Sequence, residues 1–223
     1  MMYSLVQKIQ TRIHKKSGEV MKPSYIGAIV IVLSTLMSIT SYAADIQAGK
    51  IKSAACGGCH GADGNSINGT WPILAGQHAA YLVKQLKDYK SGARVNGTMQ
   101  GMVGILATEA DMENVAAYYE SQKIKPVKFD DELIAKGESI FRGGITEVSV
   151  PACMACHGPN GAGNAAAVWP SLKGQQPEYM VSQLKMFRDG SRANDTGKMM
   201  RNVAARMSDE EMMAVAAYIA GIK

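Results

Sequence analysis

Apolar and polar positions along residues 44–223 are distributed as in helices joined by long loops. Six segments carry a helical pattern, and no segment alternates apolar and polar residues as a half-buried strand would. The predicted helices span residues 46–55, 79–90, 109–122, 131–142, 178–189 and 209–220. Ser208 and Glu211 have the spacing of a capping box at the start of the last one. Thr108 and Asp111 have the same spacing, with Asp in place of Glu. We therefore predict an all-α fold.

Ahead of these helices lies one apolar run, residues 25–39, which serine and threonine interrupt. Lys22 precedes the run and small residues follow it at 41–44, which is the arrangement of a secretory leader and its cleavage site. We predict that residues 1–43 are a signal peptide, with Met21 as an alternative start, and that the mature chain is exported to the periplasm. The alternative is an uncleaved anchor, because the run approaches the length of a membrane span.

The leader also explains most of the chain's charge. The formal net charge is +5, but residues 1–43 hold five Lys or Arg and one Glu, which leaves 19 basic and 18 acidic residues in the remainder. A nearly neutral mature chain gives no indication of nucleic acid as a partner.

The chain after the leader is a tandem duplication. The two Cys-x-x-Cys-His motifs match at an offset of 97, the Trp-Pro and Gly-Gln pairs match at 98, and the Val-Ala-Ala-Tyr segments match at 100. Two copies are too few for a solenoid, so each copy is expected to form its own small domain. We place an N-terminal domain at residues 44–124, a linker at 125–131 and a C-terminal domain at 132–223, because the linker's proline and charged residues interrupt any helical pattern.

Each copy contains the motif Cys-x-x-Cys-His, which is the attachment signature of c-type haem. Two thiols at this spacing can reach the two vinyl groups on one edge of a porphyrin, and the adjacent histidine then lies beneath the iron as its axial ligand. The attachment cysteines are Cys56, Cys59, Cys153 and Cys156, and the iron ligands are His60 and His157. We expect two covalently attached haem c groups. Because all four cysteines belong to these motifs, no structural disulfide is expected.

Two other kinds of site also use paired cysteines. Two Cys-x-x-Cys pairs can form a Cys₄ zinc site, and a single pair can be a thioredoxin-like redox centre beside a βαβ unit. The sequence has no βαβ pattern, and neither site requires a histidine directly after the second cysteine. Both motifs have that histidine, which favours haem.

The second axial ligand of each iron is expected to be methionine, which cytochromes use to raise the reduction potential. After the leader is removed, His78 is the only histidine outside the motifs, so bis-histidine ligation at both irons is impossible. For His78 we expect a solvated or capping role. Four methionines lie in segments predicted to be irregular, between the second and third helices of each copy: Met99, Met102, Met199 and Met200. Spacing alone leaves the choice within each pair open.

Three further motifs identify a family. They are Asp-Gly-Asn at 63–65, Pro-x-Leu-x-Gly-Gln at 72–77 and 170–175, and Met-Arg-x-Val-Ala-Ala at 200–205. With the two haem motifs, they resemble the dihaem cytochrome c4 family over residues 44–223. The resemblance implies two tandem cytochrome c-like haem domains, with Met99 and Met200 as the second iron ligands. Met102 stays an alternative, because Ala107 adds a residue to the first copy.

The resemblance also implies roles for residues around the haem. The carbonyls of Pro72 and Pro170 would accept a hydrogen bond from Nδ1–H of the axial histidines and fix the orientation of those rings. Arg94 and Arg192 would pair with haem propionates; the alternative is that both are solvated surface charges.

The implied function is electron transfer without catalysis. A chain of this family would carry electrons in a bacterial respiratory chain, from the cytochrome bc1 complex or a dehydrogenase towards a terminal oxidase, in the periplasm and with peripheral membrane association as an option. The alternative is a dihaem oxidoreductase of the peroxidase or thiosulfate dehydrogenase type, in which one iron ligand is labile.

Overall fold

Ten α-helices make up the regular structure of the computed structural model, which describes residues 43–127 and 131–222. In chain order they are α1 (Ile46–Lys52), α2 (Gly57–His60), α3 (Ala79–Ser91), α4 (Gly97–Met102), α5 (Glu109–Glu120), α6 (Ile134–Gly143), α7 (Met154–His157), α8 (Pro177–Asp189), α9 (Met199–Ala204) and α10 (Asp209–Gly221). Within the described residues the extended backbone consists of two isolated bridges, Ile145 with Val150 and Asn164 with Trp169. The predicted all-α fold is confirmed.

Helices α1 to α5 form the N-terminal domain, and α6 to α10 repeat their order in the C-terminal domain. All six predicted helices are present, with ends that differ by a few residues. A 3₁₀ turn, Ser53–Ala55, continues α1, and another, Asp131–Leu133, precedes α6. Both capping boxes are formed as expected, one from Thr108 and Asp111 and the other from Ser208 and Glu211.

Four short helices were not predicted. Two of them, α2 and α7, contain the haem motifs. The other two, α4 and α9, carry the four candidate methionine ligands, so the expectation that these segments are irregular is wrong. Helix α4 escapes prediction because it is six residues long and contains two glycines, which have low helix propensity. Asn96 caps it by accepting a hydrogen bond from the backbone N–H of Met99 at 2.9 Å.

Each domain is built on one close crossing between its first and last long helices. Helix α1 packs on α5, and α6 packs on α10. Glycine makes both crossings possible: a Cβ on Gly49 would lie 1.9 Å from the carbonyl oxygen of Asn114, and one on Gly137 would lie 2.0 Å from that of Ala214. The third long helix of each domain, α3 or α8, packs against the same last helix and closes the core.

The C-terminal domain has the larger side-chain core. Its buried cluster is the set Ile140, Phe141, Val150, Met180, Leu184, Phe187, Ala204, Met207, Met212, Ala214, Val215, Ala216 and Ile219. The N-terminal cluster is the set Leu82, Leu106, Met112, Val115, Ala116, Tyr118 and Tyr119. Small domains often need a covalent or metal staple in addition to such a core, and attached haem would provide one.

Residues 44–223 form one compact unit. Of the predicted leader, residues 1–42 lie outside the described part of the chain, as do residues 128–130 of the predicted linker. Among the helices that the structure describes, none combines the length and the apolar character needed to cross a bilayer.

Gly137→Ala should lower the free energy of unfolding of the haem-loaded protein by about 3 kcal/mol, because backbone in α10 must move to admit the new Cβ. Denaturant unfolding measures the effect. Gly143→Ala, in the same helix, is the matched control: its Cβ would meet nothing within 4 Å, and replacing a helical glycine stabilises by about 0.5–1 kcal/mol. Equal effects of the two substitutions would contradict the close crossing.

Candidate haem sites

Each haem motif folds into a single helical turn. Helix α2 follows Cys56 directly and ends at His60, while α7 follows Cys153 and ends at His157. Residues three apart share one side of a helix, so the two thiols of each motif project to the same side. Cys56 and Cys153 are half-buried, whereas Cys59 and Cys156 are exposed. In each motif the first cysteine is therefore the more buried of the two.

Both histidine rings are buried and oriented by a backbone carbonyl. His60 and His157 are 7% and 8% exposed. Nδ1 of His60 lies 3.0 Å from the carbonyl oxygen of Pro72, and Nδ1 of His157 lies 3.0 Å from that of Pro170. The predicted proline contacts are confirmed. With Nδ1–H donating to a carbonyl, the lone pair of the imidazole is on Nε2 and is available to a metal.

Burial lowers the pKa of both histidines, and the hydrogen bond to the proline carbonyl opposes this only in part. The rings are therefore neutral at pH 7. Neutral imidazole is the form that binds iron.

A single cavity of about 760 Å³ contains all the candidate haem residues of both domains. Its lining includes Cys56, Cys59, His60, Met99, Met102, Cys153, Cys156, His157, Met199 and Met200. Trp71, Tyr81, Trp169 and Tyr179 also line it. The structure thus brings together every residue that the sequence analysis assigned to the two haems, and it makes the two sites parts of one interior.

The methionines differ in burial. Met199 is 41% exposed, whereas Met200 is half-buried and packs against the C-terminal core. Met99 and Met102 lie one turn apart on α4 and are both half-buried. The two positions in α4 are therefore equivalent in burial, and the two in α9 are not.

Helix α9 is held differently from α4. Gly197 and Lys198, just before it, have φ angles of +61° and +56°. Asp195 bridges this bend by accepting hydrogen bonds from the backbone N–H of Arg201 at 3.0 Å and from its Nε at 2.7 Å. Burial by itself would raise the pKa of Asp195, but the two bonds from Arg201 outweigh it and hold that pKa below its usual range.

Two arginines lie buried at the junction of the domains, facing the cavity. Arg94 is 6% and Arg192 is 5% exposed, so the alternative that they are solvated surface charges is wrong. Their side-chain partners are neutral: Gln85, Tyr179 and Gln183 accept from Arg94, and Asn194, Gln183, Tyr81 and Gln85 accept from Arg192. Neither forms a salt bridge within the described residues.

Two buried cations without a carboxylate partner give this part of the cavity a strongly positive potential. Burial by itself would raise the pKa of Tyr179, but the positive charges of Arg94 and Arg192 outweigh it and lower that pKa. Buried charges in proteins are normally paired. A cavity with apolar walls, paired thiols, neutral imidazoles and two unpaired guanidiniums fits haem, whose propionates would supply the missing negative charge.

Sequence reasoning missed the residues that join the domains. His78 occupies the N-cap position of α3, but its side chain makes no capping bond. Instead, its Nε2 lies 2.7 Å from the carbonyl oxygen of Ala162 in the other domain. Gln77 and Gln175 also reach across the junction. The Gly-Gln pair repeated in both copies was the available signal, but a repeat does not say which partner a side chain meets.

Comparison with known proteins supports this description. The cytochrome c family model matches twice, over residues 46–123 and 134–223. Cytochrome c4 of Thiocapsa roseopersicina is 47% identical over 180 residues, which cover 80% of this chain and 93% of that protein. The crystal structure of reduced recombinant cytochrome c4 from Pseudomonas stutzeri matches with a TM-score of 0.78 at 43% identity, covering 81% of this chain and 100% of that one.

The relatives also include proteins named for their electron-transfer partner. The thiosulfate dehydrogenase electron acceptor of Stutzerimonas stutzeri (strain A1501) is 38% identical over 201 residues, covering 86% of this chain and 92% of that protein.

Asp195→Asn should lower the free energy of unfolding of the haem-loaded protein at pH 7 by about 1.5–3 kcal/mol, because it replaces a charged acceptor with a neutral one. The pKa of Asp195 is lower in the folded than in the unfolded chain. Its contribution is therefore present above the unfolded value of about 3.9 and is lost as the pH falls through the folded value. Denaturant unfolding at pH 7 and pH 3 should show the difference between the two proteins closing at low pH.

Asp189→Asn is the matched control. Asp189 is exposed and accepts from the backbone N–H of Ser191 at 2.8 Å, a neutral donor, so its substitution should have little effect. A deficit in Asp195→Asn that is the same at both pH values would contradict the role given to the carboxylate.

Proposed function

We propose that this chain, which belongs to the cytochrome c family, functions as a two-haem electron carrier of the cytochrome c4 group. In the proposal, Cys56 and Cys59 attach one haem c and Cys153 and Cys156 attach the other. The haem iron, when bound, supplies reversible one-electron oxidation and reduction. The observation that carries the proposal is the single cavity, because it gathers both sets of attachment and ligand residues inside one compact unit.

The chain's own residues prepare both sides of each site. His60 and His157 are kept neutral by burial and oriented by the proline carbonyls, so that each offers Nε2 to iron. On the opposite side we assign Met99 and Met200. For Met200 the support is its packing against the core, in contrast to the exposed Met199. For Met99 it is the family resemblance, and Met102 is the competing position.

The proposed ligands favour a carrier over an enzyme, because they would leave no position on either iron open to a substrate. An iron held by protein side chains on both faces can change its oxidation state without binding a substrate. A peroxidase would need an acid-base group over an open iron. His78 is the only histidine after the leader that is outside the haem motifs, and its Nε2 is within hydrogen-bonding distance of the carbonyl of Ala162. The proposal is therefore that the chain transfers electrons and does not catalyse a reaction by itself.

The surface thiols indicate where electrons would enter and leave. Cys59 and Cys156 are exposed, so the haem edge attached to each would reach the surface of its domain. We propose that redox proteins dock there in the periplasm, with the cytochrome bc1 complex or a dehydrogenase as donor and a terminal oxidase as acceptor. The relative named as a thiosulfate dehydrogenase electron acceptor supports a dehydrogenase as donor.

Met99→Ala and Met200→Ala should each abolish one of two methionine-ligated signals, because each removes the thioether from one iron. The measurement is the methionine–iron charge-transfer absorption of the oxidised protein during a spectroelectrochemical titration. Met199→Ala is the matched control in α9 and should retain both signals. Retention of both signals in Met99→Ala would transfer the assignment to Met102.

The purified holoprotein should take up two electrons and turn over neither hydrogen peroxide nor thiosulfate when it is supplied alone. The physical reason is that the proposed ligands would leave no open position on either iron. Steady-state assays with each substrate, beside a reductive titration, check this. Turnover together with a high-spin signal in the wild-type protein would support the dihaem oxidoreductase instead.

A further inference from the structure

The two domains hold each other through a pair of crossed glutamines. Gln77, in the N-terminal domain, accepts a hydrogen bond from the backbone N–H of Ser171 at 2.9 Å and donates to the carbonyl of the same residue at 2.8 Å. Gln175, in the C-terminal domain, accepts from the N–H of Ile73 at 2.7 Å and donates to its carbonyl at 2.9 Å. All four residues are buried. Each glutamine thus meets both polar groups of one backbone residue in the other domain.

The backbone residues that are held in this way directly follow the prolines of the haem sites. The N–H of Ile73 and the carbonyl of Pro72 belong to the same peptide group. That carbonyl accepts the hydrogen bond from Nδ1 of His60, and the N–H is bound by Gln175. One planar amide therefore links an axial histidine in the N-terminal domain to a glutamine in the C-terminal domain.

We call this series of histidine, peptide group and glutamine a relay. A second relay runs in the opposite direction. Nδ1 of His157 bonds to the carbonyl of Pro170, which shares a peptide group with the N–H of Ser171, and Gln77 accepts from that N–H. The two relays cross the junction between the domains, so each haem site is completed by the other domain.

Such a relay has an electronic consequence. A hydrogen bond accepted from the N–H of a peptide increases the negative charge on the carbonyl oxygen of the same peptide, since hydrogen bonds in a chain polarise one another. A more negative carbonyl oxygen is a better acceptor for Nδ1–H and makes the imidazole a more basic ligand. A more basic ligand stabilises oxidised iron and so lowers the reduction potential.

We propose that Gln77 and Gln175 are positioning residues that lower the reduction potential of the haem in the opposite domain. Gln175 acts on the haem bound by His60, and Gln77 acts on the haem bound by His157. The inference rests on the proposed function, in which these histidines are the axial ligands. It adds that docking of the two domains is itself part of what sets both potentials.

A neighbouring glutamine, Gln176, provides a control that distinguishes an effect on the potentials from a general role in holding the domains together. Gln176 is also buried, and its Nε2 donates to the carbonyl of Ser66 across the same junction at 2.7 Å. Ser66 lies six residues before Pro72, so the peptide group that binds His60 does not take part in this contact. Gln176→Leu therefore removes a cross-domain side-chain bond of similar length and burial, and it keeps the backbone N–H of residue 176, which donates to Oε1 of Gln175 at 2.9 Å.

The test is a redox titration of the full haem-loaded protein and of the variants Gln175→Leu, Gln77→Leu and Gln176→Leu. NMR follows the two haems separately through their methyl resonances. In Gln175→Leu we expect the reduced-to-oxidised ratio of the N-terminal haem, at a fixed applied potential, to rise about two- to fivefold. This corresponds to about 20–40 mV at 59 mV per tenfold change.

The crossed pattern is the decisive result. Gln77→Leu should raise the potential of the C-terminal haem in the same way, and Gln176→Leu should move neither potential. A shift in the substituted domain's own haem, an equal shift of both haems, or a shift of the same size in Gln176→Leu would each overturn the inference. Because Gln77 and Gln175 act on different haems, either variant tests the relay if the other fails to fold.

The titration of the wild-type protein separates this inference from the proposed function. Absence of two methionine-ligated signals before any substitution would contradict the proposed function. If those signals are present and no variant shifts either potential, only the relay is wrong.

Discussion

Two buried imidazoles, each donating from Nδ1 to a proline carbonyl, are the constraint on which the rest of this structure depends. An axial histidine must be neutral, must keep Nε2 free and must not rotate, and a buried ring with one fixed hydrogen bond meets all three requirements. The loop that supplies the carbonyl must itself be held. In both domains it is held by the packed helices on one side and by a glutamine of the other domain on the other side.

The helix crossings provide the rigid part of this support. Gly49 and Gly137 let the first and last long helices of each domain approach until a backbone carbonyl occupies the place of a side chain. The last helices then bind the loops directly: the N–H of Gly76 donates to the carbonyl of Tyr119 at 2.9 Å, and that of Gly174 donates to the carbonyl of Ile219 at 2.9 Å. Packing at the helix crossings therefore fixes the loop that supplies the proline carbonyl to each histidine.

The two halves share the same order of helices but differ in the residues that support equivalent positions. An uncharged cap, Asn96, holds the methionine helix of the N-terminal domain, whereas an ion pair between Asp195 and Arg201 holds that of the C-terminal domain. Tyr119 lines the cavity in the N-terminal domain, and Ile219 lines it at the equivalent position in the C-terminal domain. Differences of this kind around otherwise equivalent ligand sets give a protein the means to set two potentials apart.

Patterns among residues close together in the sequence predict much of this structure. The Cys-x-x-Cys-His spacing requires only one helical turn, so the sequence alone predicts the attachment cysteines and the histidine ligands without any knowledge of the packing. The six longer helices, both capping boxes and the internal repeat likewise depend on residues that are close in the chain or visibly repeated in it. The sequence does not predict the short helices that carry the methionines, because glycines and residues with a left-handed backbone weaken the helical pattern there.

Only the tertiary structure decided which residues meet across the two halves. The sequence left Arg94 and Arg192 as either surface charges or partners of haem propionates, and only the packing of the two domains buries them together. His78 and the two glutamines bind partners more than eighty residues away in the chain. The physical reason is that side-chain periodicity reports which face of an element is apolar. It does not report which surface of another domain will cover that face, and here that surface completes the support of His60 and His157.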